Sequence, residues 1–267
     1  MSQINQALVV LTGAAGGFGQ QFMRQMLPLG ARFVLTDKDA STLESVADTI
    51  RSEVQGGEIV ACVGADISTR EGCEALYQSI GKTPDVLINN AGLGIYGRFH
   101  EIPIEKWEMV VQVNFLATLR LTHLFLPAMI ERKSGHIVNI ASIAGWLATE
   151  GMSTYGATKF GVRGFSEGLA HEVAPYNIKV TTVYPFYSKT PILNSPRYGT
   201  LPERAVPDNL STDPKDVIAQ VVNGMMNDTQ HVFPDRTAKL LQLLTRFAPW
   251  IIPPLSCYLD RQAEKNV

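Results

Sequence analysis

The sequence has few of the features that mark secreted or membrane-spanning proteins. It contains three cysteines, Cys62, Cys73 and Cys257, without C-x-x-C spacing, which favours a reducing compartment over a disulfide framework or a zinc site. No uninterrupted apolar run reaches the roughly 18 residues that a membrane span requires. The polar start, Met1–Gln6, lacks the basic region of a signal peptide. We therefore expect a cytoplasmic protein without a transmembrane segment.

An excess of charge of either sign is also missing. The 267 residues carry a formal net charge of −2, and 18% of them are charged whereas 45% are apolar. This balance provides no general attraction to nucleic acid, so no nucleic-acid partner is expected. The five histidines show no H-E-x-x-H or other ligand spacing, and we expect no bound metal. The apolar share is sufficient for a large core and excludes a disordered chain.

Short β-branched runs alternate with longer helical stretches along the chain. Strands are predicted at Ala7–Leu11, Arg32–Thr36, Glu58–Val63, Val86–Asn89, His136–Ile140, Lys179–Tyr184 and His231–Phe233. Helices are predicted at Gly17–Leu29, Leu43–Val54, Arg70–Ile80, Glu105–Ile130, Tyr155–Val173 and Lys215–Asn227. This alternation indicates an α/β fold, a doubly wound, Rossmann-like parallel sheet of about seven strands with helices on both faces. No linker or repeat interrupts it, so residues 1–267 are expected to form a single domain.

Two regions depart from this regular alternation. Residues 185–210 are rich in Pro, Tyr and Ser and follow the sixth predicted strand, where open α/β sheets place their ligand loops. Residues from about 235 to 267 form an apolar tail, interrupted by prolines within Leu240–Leu259. We interpret the tail as a flap on the core or an oligomer contact. A weak association with a membrane surface and a cover for an apolar substrate remain the alternatives.

A glycine-rich segment, Thr12-Gly13-Ala14-Ala15-Gly16-Gly17-Phe18-Gly19, joins the first predicted strand to a helix. Glycine allows a tight turn and lets the backbone approach a pyrophosphate at the helix N-terminus. A purely structural turn is the alternative interpretation of this loop. Asp37 ends the second strand, where an acid can bind both ribose hydroxyls and repel a 2′-phosphate, although it also suits a helix N-cap. Lys38 offsets part of that repulsion, and we favour NAD over NADP.

Tyr155 and Lys159 are four residues apart in a predicted helix and so share one face. A nearby lysine cation would lower the phenol pKa from about 10, giving a group that exchanges protons near neutral pH. The spacing alone is common. Ser142 follows the fifth strand and could bind a substrate oxygen or cap a helix. Asn114 lies within a helix, where asparagine is unfavourable, and either a functional or a structural hydrogen bond would explain it.

These motifs resemble those of the short-chain dehydrogenase/reductase family, in family order and over nearly the full length. The resemblance rests on Thr12-Gly13-x-x-x-Gly17-x-Gly19, Asp37, Asp66-Ile67, Asn89-Asn90-Ala91-Gly92, Asn114, Ser142, Tyr155-x-x-x-Lys159 and Pro185…Thr190. It implies an NAD(P)-dependent short-chain alcohol dehydrogenase or carbonyl reductase, which transfers a hydride between NAD(H) and a secondary alcohol or ketone. A non-catalytic dinucleotide-binding sensor or scaffold is the alternative, but it would not require all of Asn114, Ser142, Tyr155 and Lys159.

The resemblance also implies a role for each motif residue. Tyr155 would be the general acid and base, Lys159 would bind the nicotinamide ribose and tune Tyr155, and Ser142 would orient the substrate oxygen. Asn114 would hold a water in a proton relay to Lys159. The implied cofactor-binding residues are Gly13, Gly17, Phe18, Gly19, Asp37, Asp66, Ile67, Asn90, Ala91, Gly92, Tyr155, Lys159, Pro185 and Thr190. Among them, Asp66 and Ile67 would flank the adenine, and Thr190 would contact the carboxamide side of the nicotinamide.

Two positions depart from the family pattern. Phe186 follows Pro185 where the family usually has glycine, and Phe18 replaces an aliphatic residue. The residues expected to face the substrate are Ala144, Trp146, Leu147, Met152, Phe186, Tyr187 and Ile192. They are mostly apolar and include no cationic clamp, so we expect a lipophilic substrate. The resemblance further implies a homodimer or homotetramer, assembled through the helices predicted at Glu105–Ile130 and Tyr155–Val173.

Overall fold

Seven apolar segments pair into one parallel sheet in the computed structural model, which describes residues 4–202 and 211–251. The strands are β1 Leu8–Thr12, β2 Arg32–Asp37, β3 Glu58–Gly64, β4 Val86–Asn89, β5 Gly135–Ile140, β6 Ile178–Val183 and β7 His231–Val232. Their order across the sheet is β7-β6-β5-β4-β1-β2-β3, and all neighbours are parallel. The doubly wound α/β prediction is confirmed, and each strand ends within one residue of its predicted bounds.

Helices connect the strands and cover both faces of the sheet. They are α1 Gly17–Met26, α2 Ala40–Glu53, α3 Arg70–Ile80, α4 Ile104–Val111, α5 Ala117–Arg132, α6 Ser153–Val173, α7 Pro214–Met226 and α8 Arg236–Phe247. The predicted helix Glu105–Ile130 is divided by a π-helical turn, Gln112–Leu116, between α4 and α5. No helix was predicted in the tail, where α8 is found. Residues 203–210 of the predicted substrate loop and 252–267 of the tail lie outside the described residues.

The core consists of two layers, one on each face of the sheet. Val9 of β1 packs in the layer formed with α1, α2 and α7, whereas its neighbour Val10 packs in the layer formed with α3, α5 and α6. Successive side chains of a strand point to opposite faces, so the central strands are mainly apolar on both faces. This explains why the strands appear in the sequence as continuous apolar runs.

The continuous helical segment Ile104–Arg132 is long and apolar enough, by length and composition, to cross a membrane. Core helices of globular proteins meet the same criterion. In this fold Leu121, Phe125 and Met129 of that segment are buried against the sheet. Packing in the core therefore accounts for these three apolar residues.

A chain of buried hydrogen bonds fixes α6 to the central strands. Asn89 Nδ2 donates to Asn139 Oδ1 over 2.8 Å, and Asn139 Nδ2 donates to Ser166 Oγ over 2.8 Å. Ser166 Oγ in turn donates to the carbonyl of Val162 over 2.7 Å. Buried polar groups that are paired in this way specify one packing arrangement. The network holds the helix that carries Tyr155 and Lys159 in register with β4 and β5.

His136 of β5 should make the fold sensitive to acid. It is buried, with Nε2 2.9 Å from Thr181 Oγ1, and burial lowers its pKa from 6.5 to about 4. Between these values the unfolded chain binds more protons, so stability is complete above pH 6.5 and falls toward pH 4, by roughly 3 kcal/mol. We expect the urea midpoint of unfolding to drop across this range, and to drop much less in His136→Gln. Equal drops in the two proteins would contradict this assignment.

Candidate active site

The carboxyl ends of the strands line a cleft with a volume of about 740 Å³. Open parallel sheets place their ligand crevice at this edge. Asp37 at the end of β2, Asn90 after β4, Ser142 after β5 and Pro185 after β6 all line the cleft. The fold therefore brings together, in one crevice, residues that are up to 148 positions apart in the sequence.

The glycine-rich turn after β1 forms one wall of the cleft. Gly13 has a φ of 62°, and a Cβ there would lie 2.8 Å from Ala91 Cα, so this position requires glycine. Thr12 Oγ1 accepts hydrogen bonds from the backbone N–H groups of Asn90 and Ala91, both over 3.0 Å. These contacts join the turn to the segment after β4 and give the wall a fixed shape.

The remaining glycines of the motif have different roles. Gly17 lines the cleft, and a Cβ there would lie 2.8 Å from Thr190 Cγ2, so glycine allows the segment after β6 to approach the N-terminus of α1. Gly19, predicted to contact the cofactor, is buried behind the turn, where a Cβ would lie 2.6 Å from Ala14 Cα. Its place in the fold indicates close packing of α1 against the turn.

The N-terminus of α1 provides hydrogen-bond donors without a capping side chain. Gly16 is the N-cap residue and makes no side-chain hydrogen bond to the first turn. The first N–H groups of a helix have no partner within the helix, and together with the helix dipole they favour an anion. This arrangement fits a pyrophosphate, as the sequence motif predicts.

Asp37 lies at the end of β2 and lines the cleft. Its carboxylate accepts hydrogen bonds from the backbone N–H of Ala15 over 3.0 Å and of Lys38 over 2.8 Å. Asp39, and not Asp37, is the N-cap of α2. The Lys38 ammonium is 3.0 Å from Asp66 Oδ2. Lys38 therefore pairs with a carboxylate further along the cleft.

Asp66 and Ile67 line the cleft next to Asp37. The Ser68 hydroxyl donates to Asp66 Oδ1 over 2.6 Å, and this bond together with Lys38 holds the pKa of Asp66 below its usual value. Ala91, Gly92, Pro185 and Thr190 complete the wall. Apart from Gly19, every residue predicted to bind the cofactor thus lines one continuous crevice.

Tyr155 and Lys159 lie one turn apart on α6, and 9% and 3% of their surfaces are exposed. Lys159 Nζ donates to the carbonyl of Ile140 over 2.8 Å and lies 5.6 Å from the centre of the Tyr155 ring. Burial lowers the pKa of Lys159 to about 8. Burial also raises the pKa of Tyr155 far above 10, against the opposing effect of a hydrogen bond with Ser142.

The electrostatics of this pair differ from the sequence-based expectation. A lysine cation was expected to acidify the phenol, but desolvation has the larger effect on both side chains. Burial therefore favours the protonated form of Tyr155 in the folded protein. Ser142 Oγ accepts from the N–H of Ala144 over 3.1 Å and caps the short turn at Ile143–Gly145, which corresponds to the cap interpretation. Its contact with a substrate oxygen stays a prediction.

Asn114 lies in the π-helical turn and is almost completely buried. Its Oδ1 accepts from the N–H of Leu93 over 2.7 Å, and its Nδ2 donates to the carbonyl of Leu93 over 2.8 Å. These bonds correspond to the structural alternative and fix the segment after β4. A Cβ on Gly92 would lie 3.6 Å from Asn114 Oδ1 and 3.7 Å from Lys159 Nζ, so Gly92 leaves space between the two side chains. The relay role of Asn114 stays a prediction.

All but one of the residues predicted to face the substrate line the cleft. The residues that line the cleft are Ala144, Leu147, Met152, Phe186, Tyr187 and Ile192. Trp146 is the exception: its ring packs against Tyr184 and Phe233, with the Arg163 guanidinium carbon 3.3 Å from its centre. The short helical turn at Ile143–Gly145 directs Trp146 away from the cleft, so its prediction as a substrate residue is corrected.

Several residues of the same wall were not predicted from the sequence. These are Ile95, Tyr96, Met109, Val113, Leu193 and Leu241. Tyr96–Gly97 pairs with Arg197–Tyr198 in a short parallel ladder, and the Arg197 guanidinium carbon lies 4.6 Å from the centre of the Tyr96 ring. The Asn-Ala-Gly signature that precedes Ile95 and Tyr96 was the one available signal, because it placed their segment at the sheet edge.

Phe186, the departure from the family pattern, is held from two sides. Its ring lies 4.5 Å from that of Tyr187, and its N–H donates to Asp235 Oδ2 over 3.0 Å. The other oxygen of Asp235 accepts from the N–H of Ala238 and caps α8. Tail and pocket are therefore connected through one carboxylate.

Within residues 4–202 and 211–251, no group of three or more His, Cys, Asp and Glu side chains is arranged to hold a metal ion. The cleft instead combines the N-terminus of α1, which has no capping side chain, with the buried phenol of Tyr155. Both features are typical of Rossmann-like oxidoreductases.

The chain belongs to the short-chain dehydrogenase/reductase family. A family model described as short chain dehydrogenase matches residues 7–199. The chain is also 31% identical over 235 residues to an uncharacterized oxidoreductase from Staphylococcus saprophyticus, covering 87% of this chain and 96% of the relative. The resemblance inferred from the motifs is confirmed, and the protein is an oxidoreductase.

Two solved structures show the same fold. A short-chain dehydrogenase/reductase from Burkholderia phymatum in complex with NAD superposes with a TM-score of 0.78 at 26% identity, covering 91% of this chain and 94% of its own. A short-chain dehydrogenase from Sphingobium yanoikuyae in complex with NADPH gives a TM-score of 0.76 at 28% identity, covering 86% and 88%. The two neighbours hold different nicotinamide cofactors, so structural similarity alone does not decide between NAD and NADP for this chain.

Proposed function

We propose that this protein interconverts a lipophilic secondary alcohol and its ketone with NAD(H). The observation that carries the proposal is the meeting of Ser142, Tyr155 and Lys159 in a cleft that has a dinucleotide-type glycine turn at its other end. The residues present fit the cofactor, with the α1 N-terminus for the pyrophosphate and Asp37 for the ribose. When bound, NAD(H) supplies or accepts the hydride.

The proton transfer is carried out by Tyr155 and Lys159 of α6 and by Ser142, which follows β5. Tyr155, kept protonated by burial, donates its proton to the carbonyl oxygen as that oxygen becomes an alcohol. Ser142 hydrogen-bonds the same oxygen and stabilises the charge that develops there. Lys159, with a pKa of about 8, can pass a proton toward Tyr155 near neutral pH. Oxidation follows the same steps in reverse.

Asp37 supports NAD rather than NADP. Its carboxylate is fixed by two backbone N–H groups, so it would repel a 2′-phosphate in a defined position. Lys38, the cation that could compensate, pairs with Asp66. Both contacts favour a free 2′-hydroxyl.

The apolar wall supports a lipophilic substrate. Beside Tyr155 it is formed by Leu147, Met152, Phe186 and Ile192. Of the described lysines that line the cleft, Lys38 pairs with Asp66, and Lys159 is buried under Tyr155. A carboxylate or phosphate on the substrate would find no clamp among these described residues.

We further propose a homodimer or homotetramer in the cytoplasm. Phe160 of α6 is 43% exposed, which supports an interface along this helix. The compartment rests on the sequence argument alone.

A panel of ketones assayed with NADH and with NADPH tests the function. We expect medium-chain and alicyclic ketones to exceed short polar sugars in kcat/KM, because their apolar surface is buried in the wall. We expect NADH to be preferred over NADPH by about tenfold or more, equivalent to about 1.4 kcal/mol. Faster turnover of sugars would refute the substrate class. Dinucleotide binding without turnover of any substrate would favour the sensor or scaffold.

A further inference from the structure

Helix α8 presents a stripe of large apolar side chains to solvent. Leu240, Leu243 and Phe247 are 57%, 48% and 66% exposed, and their spacing places them on one face. Trp250, in the short helical turn after α8, is 71% exposed. On the opposite side, Ala238 is buried in the protein. A contiguous exposed apolar surface of this kind marks an interaction site.

The charges on this helix are all positive. Arg236, Lys239 and Arg246 are exposed, and residues 236–251 include no Asp or Glu, although the whole chain has a net charge of −2. Lys239 and Arg246 are seven residues apart and therefore lie along one side of the stripe. Basic residues beside an apolar face, with tryptophan at the edge, are typical of helices that lie in the interface of an anionic membrane.

The same helix also forms part of the active-site cleft. Leu241 lines the cleft, although its neighbours Leu240 and Leu243 face solvent. At the N-terminus of α8, Asp235 hydrogen-bonds the backbone of Phe186 in the cleft wall. A surface that contacts the stripe would thus lie beside the cleft.

We propose that α8 and the turn to Trp250 dock on an anionic lipid surface, with the cleft beside the contact. The positive charge of α8 favours a lipid surface over a second copy of the chain. A second copy would bring Arg236, Lys239 and Arg246 close to the same three cations, which repel them. Anionic headgroups would instead neutralise these charges. The docking is independent of the proposed reaction, since binding to lipid requires no turnover.

Vesicle flotation of the full-length protein tests the docking. Vesicles of phosphatidylcholine alone are compared with vesicles containing about one third phosphatidylglycerol, at low and high salt. We expect flotation with the anionic vesicles and its weakening by salt. Leu240→Gln/Phe247→Gln should reduce partitioning by at least about tenfold. Lys239→Gln/Arg246→Gln should reduce it by about tenfold on anionic vesicles.

Matched variants control for the loss of apolar surface and of charge. Leu29→Gln/Met226→Gln removes two apolar side chains that are each 42% exposed elsewhere, and Lys82→Gln/Lys106→Gln removes two other exposed cations. Both should float like the unaltered protein. Thermal unfolding of each variant confirms that it folds.

Three results would overturn the docking. The first is a lack of lipid binding through α8, seen either as no flotation with anionic vesicles or as equal flotation of the α8 variants and the controls. The second is a change in molar mass by light scattering when Leu240 and Phe247 are replaced without lipid, which would make the stripe a contact between copies. The third is flotation that appears only when the chain is truncated after Ile251, which would assign the stripe to residues 252–267. Flotation without ketone turnover would refute the proposed function and leave the docking intact.

Discussion

Replacing Tyr155 with phenylalanine is expected to lower kcat for ketone reduction about a thousandfold, the range in which general acids contribute. The ring and its packing are retained, so only the proton donor and its hydrogen bond with Ser142 are removed. Dinucleotide binding, measured by NADH fluorescence, should change little, because the substitution slows only the chemical step. Steady-state kinetics with the best ketone of the panel measures the effect.

Tyr96→Phe provides the matched control, since its phenol lines the same cleft and is also partly buried. A loss of less than about tenfold is expected there, the value of one substrate hydrogen bond. Near wild-type turnover in Tyr155→Phe, or equal losses in the two variants, would refute the assignment of Tyr155 as the acid.

Replacing Lys159 with methionine is expected to lower activity by about a hundredfold or more and, at the same time, to stabilise the fold at neutral pH. Burial lowers the pKa of Lys159 from 10.5 to about 8, so below pH 8 the folded protein carries the full cost of a buried ammonium, roughly 3 kcal/mol. Methionine removes that cost but leaves the Ile140 carbonyl without its donor, which costs about 1–3 kcal/mol. A net gain of about 1 kcal/mol is expected.

The pH dependence of unfolding separates these contributions. Between pH 8 and 10.5 the unfolded chain binds more protons than the folded one, so the stability of the unaltered protein rises with pH across that window. Lys159→Met should show no such rise, and Lys106→Met, an exposed control, should retain it. Parallel stability profiles for all three proteins would contradict the burial of the charge.

The central strands of the sheet could be predicted from the sequence because they are buried on both faces. The run Val86–Ile88 is apolar and is followed by Asn89, so the apolar run and its boundary signal agree. Helix α8 was missed for the opposite reason. Its leucines face both solvent and cleft, and the prolines beyond it suggested an irregular tail.

In the candidate site, too, some residues could be predicted from a local sequence pattern and others could not. Tyr155, Lys159 and Ser142 are found by spacing, because one helix and one strand end fix their relative positions. The direction of Trp146 depends on a single helical turn, and the pairing of Tyr96 with Arg197 joins segments about 100 residues apart. Neither has a local sequence signal. The pKa values of Tyr155 and Lys159 depend on burial depth, which spacing does not reveal.

The two hydrogen bonds of the Asp235 carboxylate determine which segments can be exchanged in chimeras made between relatives. One carboxylate satisfies both the first turn of α8 and the amide of Phe186. If the tail is transplanted without the loop after β6, or the loop without the tail, either a helix N-terminus or a partly buried amide loses its acceptor. The two segments therefore form one exchangeable unit, and substrate range should be inherited with the tail as well as with the pocket.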